Sequence, residues 1–206
     1  MARSSIPRRY HSPQRQARAD ATRQQILAAA ERLFGASGYA AVTMEAIARA
    51  ADVSVATVYL HFPGRAAIVE ALAESIVSAP DLGVEQVVQG AEPVEQLRIG
   101  AHIIRNLNER SHVVVDILRG AQGSDERLAQ LWAEWQAGHL NAMRRSVAGL
   151  IARGGLRADV TEEEAVDILY AVTGTEVYRA LVRERGWTPQ RYEEWLFRAA
   201  GKELLP

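Results

Sequence analysis

Cysteine is absent from the 206 residues of the chain. Its absence removes disulfides, thiolate metal sites and cysteine nucleophiles together, and suits a reducing cytoplasm, where the protein is expected to reside. Long apolar runs are missing as well. No stretch of about 18 apolar residues occurs, so neither a membrane-spanning helix nor a membrane partner is expected. Catalytic signatures are equally scarce: there is no Gly-x-Ser-x-Gly elbow, no glycine-rich phosphate loop and no pair of histidines four apart on one helix. His112 and Asp116 do lie four apart, but a surface hydrogen bond accounts for them. The acidic run Glu162–Glu164 suits a helix start. No enzyme, metal or cofactor is expected.

Acidic residues are missing from the first 19 positions, "MARSSIPRRYHSPQRQARA", which hold five arginines and two prolines. The prolines interrupt any amphipathic targeting helix, and no apolar segment of a secretory signal follows. Residues 1–19 are therefore read as a flexible basic arm, suited to phosphates or a minor groove. The charge imbalance continues beyond the arm. From Met1 to Ile68 there are nine arginines and four acids, a net of +5; the remainder carries −6, for a total of −1. A basic front and an acidic back suggest that only the front meets a polyanion.

What is present is helical periodicity. The composition, 48% hydrophobic and 24% charged, is that of a folded globular chain with room for one domain or two small ones. Ile26, Leu27, Ala30, Leu33 and Phe34 form one stripe of a first helix, starting near Asp20 or Thr22 and stopped by Gly35 and Gly38. Thr43 caps a second helix, "MEAIARAA", with Glu45 in its first turn. "DVS" is a turn, and Ser54 caps a third short helix that Pro63 and Gly64 end. A fourth begins at Arg65. Further helices are predicted at about 92–108, 111–120, 125–153, 162–185 and 189–203. No segment alternates with period two, so the fold class is all-α, with about nine helices.

Two short helices joined by about three residues have the spacing of a helix-turn-helix, whose second helix enters the DNA major groove. Ile47, Ala51, Val53, Val58 and Phe62 can close one small core with Leu27 and Phe34, and small residues at Ala48 and Ala51 let the helices cross closely.

The segment "ILAAAERLFGASGYAAVTMEAIARAADVSVATVYLHFPGRAAIVEAL" resembles the TetR family of transcriptional regulators. The resemblance is carried by Leu33-Phe34, Gly38-Tyr39, Thr43, Ile47-Ala48, Val53-Ser54 and above all Tyr59-x-His61-Phe62. It spans about a quarter of the chain and is far more specific than a bare helix-turn-helix. The tail, "GTEVYRALVRERGWTPQRYEEWLFRAAGKEL", resembles the last two helices of such regulators. The resemblance implies a DNA-binding domain over 20–66 and a helical effector-binding and dimerisation domain over 67–206. It implies a homodimer on a pseudo-palindromic double-stranded operator, a small-molecule effector, and no enzyme activity.

It also implies roles for single residues. Thr43 would present the start of its helix to a phosphate, Tyr59 and His61 would grip phosphates beside the major groove, and Thr57 would touch a phosphate or a base edge. Arg65 stands where the family usually has a lysine, a cation for phosphate. Two departures stand out. Asp52 occupies a turn position that is mostly glycine, where a left-handed backbone is less comfortable for a side chain. Val55 and Leu60 replace residues that are often basic or polar, so the recognition helix has no Arg, Lys, Asn or Gln for bidentate base contacts. Val55 and Ala56 are then expected to read thymine methyls, with Leu60 on the same outward side.

In the second half, Trp132, Trp135, Met143, Leu107, Ile117 and Tyr170 are candidates for an effector pocket, with His102 as its polar partner. Ile168, Val172, Leu181, Tyr192, Trp195 and Leu196 are candidates for the dimer interface, with Gly174 permitting close helix approach. Two other readings remain open at this point: a DNA-binding dimer without a small-molecule effector, and a carrier or enzyme with a degenerate DNA-binding head.

Overall fold

The computed structural model describes residues 13–77 and 91–206. Residues 1–12 of the basic arm lie outside the described residues. Among the described residues there are nine α-helices and no strand, divided into two compact units between Ile68 and Val69.

The first unit opens with α1, Pro13–Ser37, which starts well before the expected Asp20. A proline fits a helix start because its missing N–H would have had no intrahelical partner there. Gly38, at φ 77°, ends the helix and leads into a single 3-10 turn, Tyr39–Ala41. α2, Met44–Ala50, begins at Thr43, whose Oγ1 accepts the Ala46 N–H at 3.1 Å. α3, Val55–His61, begins at Ser54, whose Oγ accepts the Thr57 N–H at 3.0 Å. Between them Asp52 takes φ 54°, the conformation the sequence warned of. For a residue with a side chain it costs about 1 kcal/mol against glycine. α4, Arg65–Val77, starts in this unit and runs on into the next.

These helices close on one apolar centre. Ile26, Ile47, Val58 and Ile68 are fully buried, with Phe34 and Phe62 nearly so. Leu27, Ala48 and Ala51 complete the core read from the sequence, while Val53 is only half-buried.

The second unit is built from α5 (Pro93–Ala121), α6 (Glu126–Ile151), α7 (Glu162–Thr173), α8 (Thr175–Tyr178, extended by a π-turn over Arg179–Glu184) and α9 (Pro189–Leu204). Two expectations change here. The helices predicted at 92–108 and 111–120 are one continuous α5, because Asn108 and Ser111 are buried polar residues within it and not members of a loop. The helix predicted over 162–185 breaks at Gly174, whose ψ of 148° cannot continue α7. A Cβ at Gly174 would sit 2.9 Å from a Glu176 carboxylate oxygen. Gly174 thus ends a helix, a role the sequence reading did not give it.

Side-chain caps start α6 at Asp125, α7 at Thr161 and α9 at Thr188. Two apolar clusters hold the unit together. Leu97, Met143, Val147, Leu150, Leu169 and Leu204 anchor the larger; Ala101, Tyr178, Tyr192 and Leu196 form the smaller.

Candidate nucleic-acid interface

α3 has seven residues, and they divide sharply by burial. Val58 is fully buried and Phe62, its C-cap, is 3% exposed, which seats the helix on α2. On the other side Tyr59 is 51% exposed and Leu60 83%. Ala56 is exposed, and Val55, Thr57 and His61 are half-buried. A helix this short is marginal alone. Its N-cap and its two buried residues fix it, and the rest is free to touch something else. The two helix starts also settle the local polar groups. The Thr57 and Ser54 hydroxyls are 2.7 Å apart. At α2, the Glu45 carboxyl is held below its usual range by its own backbone N–H and by Thr43.

Arg65 has a role the sequence did not foresee. Its Nη1 donates to the carbonyls of Tyr39 (2.9 Å), Ala40 (3.3 Å) and Val42 (2.8 Å), and its guanidinium lies 4.7 Å from the Tyr39 ring centre. It pins the 3-10 turn in front of α2. Only Nε and Nη2 remain for a phosphate. The Thr43 hydroxyl accepts from the Ala46 N–H and sits beside the Glu45 carboxylate, the one group there that can take its proton.

In the second unit the structure sorts the expected pocket residues. Met143 and Tyr170 meet around a pair that the sequence reading missed, His139 and Thr173. His139 Nε2 lies 2.7 Å from Thr173 Oγ1, and its ring stacks on Tyr170 at 4.6 Å. Thr173 Oγ1 is also 2.6 Å from the Leu169 carbonyl, and 3.4 Å from Met143 Sδ. A hydroxyl has one proton, and the short contact to a carbonyl needs it. His139 must therefore donate through Nε2–H, which leaves the lone pair on Nδ1. Burial pushes the imidazole below its ordinary value of 6.5 against the opposing pull of Glu176, so the ring stays neutral at pH 7.

His102 is not part of this cluster. Its side chain is 55% exposed and its Nδ1 lies 3.1 Å from Glu193, beside Arg105, so it is a surface group and not a pocket's polar partner. Burial raises the Glu193 carboxyl, but hydrogen bonds from Arg105 and His102 outweigh it and hold the group below 4.5. Ile117 is buried, and Leu107, Trp132 and Trp135 are half-buried, on α5 and α6. A second buried polar group continues from Thr173. Asn108 Nδ2 donates to the Thr173 carbonyl at 3.1 Å and to the Tyr192 hydroxyl at 3.2 Å, and His112 bonds the Asn108 carbonyl at 3.0 Å.

Two expected dimer residues are corrected by the same contacts. Tyr192 is 0% exposed and Leu196 2%, both inside the chain's own core, so neither can offer surface to a second copy. Burial pushes the Tyr192 phenol far above its ordinary value, which keeps it neutral. Val172, Leu181 and Trp195 pack half-buried against that cluster, and Ile168 does so against the larger one. Trp195 also meets Trp187 edge-on at 6.4 Å.

The chain is similar to known regulators along most of its length. The model of the family described as "Bacterial regulatory proteins, tetR family" matches residues 26–72. An uncharacterized HTH-type transcriptional regulator, YdeS of Bacillus subtilis (strain 168), is 30% identical over 184 residues, covering 81% of this chain and 87% of that protein. Among solved structures, SmeT, the repressor of the Stenotrophomonas maltophilia multidrug efflux pump SmeDEF, aligns with a TM-score of 0.63 at 26% identity, over 91% of this chain and 92% of that one. A regulator from Saccharomonospora viridis in complex with choline aligns with a TM-score of 0.71 at 20% identity, covering 91% of this chain and 99% of that one.

Proposed function

The chain belongs to the TetR family of bacterial transcriptional regulators, and from that premise we propose that it is a homodimeric repressor released from its operator by a small, largely apolar effector. The observation that carries the DNA reading is α3 itself, which buries Val58 and turns Tyr59 and Leu60 outward. Thr43, Thr57, Tyr59 and His61 hold phosphates, joined by the remaining N–H groups of Arg65. Val55, Ala56 and Leu60 face the bases. With no bidentate donor on this surface, contact with thymine methyls sets the preference. Two such helices on a dimer would sit about 34 Å apart, one turn of duplex. The half-buried Ile168, Val172, Leu181 and Trp195 are the candidates left for the dimer surface.

The effector reading rests on the pair His139 and Thr173 beside Tyr170 and Met143. A neutral imidazole with a fixed tautomer offers one acceptor, Nδ1. The effector is then an apolar body that brings one hydrogen-bond donor. Linkage makes its effect reciprocal: effector and operator must weaken each other's binding by the same factor.

Selection of duplexes from a random DNA pool tests the DNA reading. The expected product is a pseudo-palindrome whose strongest positions under α3 are A·T pairs. Strong G·C positions there would remove the thymine-methyl mechanism, and no enrichment at all would remove the operator.

A further inference from the structure

Seen from the side, α1 is longer than its core. Its first buried side chain is Ile26, whereas the helix begins at Pro13. Between Gln14 and Gln25 every side chain is exposed or only half-buried. About three turns of helix therefore project past the apolar centre of the first unit.

The face of that projection is defined by the helical repeat. Arg15 lies eleven residues before Ile26, close to three full turns, so the two share one face about 16 Å apart along the axis. Arg18 and Thr22 lie about 80° and 40° to one flank of Ile26, and Arg23 about 60° to the other. The stripe that docks α1 onto its core thus turns from apolar to cationic where the core stops. Arg23 marks the place where α1 passes the end of α3: its guanidinium lies 5.1 Å from the ring centre of Phe62, the residue that follows α3.

Arg15 and Arg18 are not used internally. Both are exposed, and among the described residues neither has an ion-pair partner. Asp20, the acid within reach, accepts instead from Gln16 Nε2 at 3.0 Å. Two unpaired cations on a helix that gains no burial there call for an anionic partner with repeated charges.

We propose that Arg15 and Arg18 on the α1 projection bind the phosphate backbone of duplex DNA just beyond the stretch covered by α3. The proposal rests on the operator reading above and adds a second, sequence-independent contact to it. From Arg23, beside the end of α3, the helix carries Arg18 and Arg15 about 8 and 12 Å further. Along one strand phosphates recur every ~3.4 Å of duplex axis, so that reach covers two or three of them. The contact lengthens the footprint and raises affinity without reading bases.

The test uses the full chain and the duplex enriched by random selection. Binding is measured between about 50 and 200 mM salt for the wild type, an Arg15→Gln/Arg18→Gln double variant, and Arg32→Gln. Arg32 is exposed and lies about 21 Å further along α1 than Arg18, beyond the projecting turns. Loss of two phosphate contacts lowers the slope of log affinity against log salt by about 1.8. The expected result is that drop in the double variant, with the selected sequence unchanged and Arg32→Gln like the wild type. An unchanged slope in the double variant overturns the proposal. So does a loss that Arg32→Gln reproduces in proportion to its charge, since that would be a general field effect. A wild type that binds no duplex overturns the operator reading and this contact with it. Tyr59→Phe, which weakens binding while keeping the wild-type slope, tells the two failures apart.

Discussion

The two units bury different things. Among the described residues, the core of the first unit is entirely apolar, while all five buried polar residues, Gln96, Asn108, Ser111, Thr173 and Thr175, lie in the second. Some of their groups have no partner, among them the Ser111 hydroxyl and Gln96 Oε1. An apolar core has one good packing and tolerates little else. A buried polar network costs stability wherever it is unsatisfied, and a bound molecule can repair it. The first unit is built to hold one shape; the second keeps polar groups inside its core.

The largest expected effect attacks the apolar side of this contrast. Phe62→Ala should cost the first unit about 3–5 kcal/mol, enough to unfold a small domain. Denaturant unfolding followed by circular dichroism checks it: an early transition should appear, and DNA binding should be lost with it. A loss under 1 kcal/mol would mean that α3 is not seated by its aromatic C-cap.

The next addresses the polar side. Asn108→Ala strips the donor from the Tyr192 hydroxyl and the Thr173 carbonyl, and should destabilise the second unit by about 1–3 kcal/mol. The same measurement, in the same denaturant, should leave the transition of the first unit in place. If Asn108→Ala proves neutral, the network is ornamental and the comparison fails.

The smallest effect is a pH dependence. Burial holds His139 below its ordinary 6.5. Above that value neither state binds the proton. As pH falls below about 6.5 the unfolded chain takes it up first, so stability drops until the folded state titrates too. Glu193, held below 4.5, loses its contribution only in more acidic solution. Melting temperature between pH 7 and pH 5 should therefore fall in the wild type, and fall less in His139→Gln.

The same contrast explains what the sequence disclosed. In the first unit α2 and α3 each start at their own cap, Thr43 or Ser54, and glycine or proline follows α1 and α3, so local chemistry disclosed these elements; the start of α1 at Pro13 and the stop of α2 before Asp52 lack such a signal. The buried face of α3 was legible because Val58 and Phe62 lie four apart. Arg65 was read as a phosphate ligand because nothing in a linear sequence connects it to three carbonyls more than 20 residues away. In the second unit Asn108 and Ser111 imitate a loop by their polarity, and only tertiary partners reveal them as interior. Tyr192 and Leu196 belong to an amphipathic stripe, and periodicity cannot tell whether such a stripe meets its own chain or a second copy. His139 did leave a trace. With Met143, Val147 and Leu150 it completes a 4-4-3 spacing, which places a histidine on a buried face.

The uninterrupted α5 turns the mistaken loop into its opposite. Its 29 residues make a single rod about 43 Å long, with Pro93 against Gly155 near one end, Asn108 at the middle and Arg119 on Glu176 near the other. In a loop, one added residue would be absorbed. Here, inserted between Glu109 and Arg110, it would rotate everything beyond by about 100°, facing Ser111 and Val115 away from the core and Arg119 away from its acid. The span whose polarity most resembles a hinge is where the chain keeps strict count.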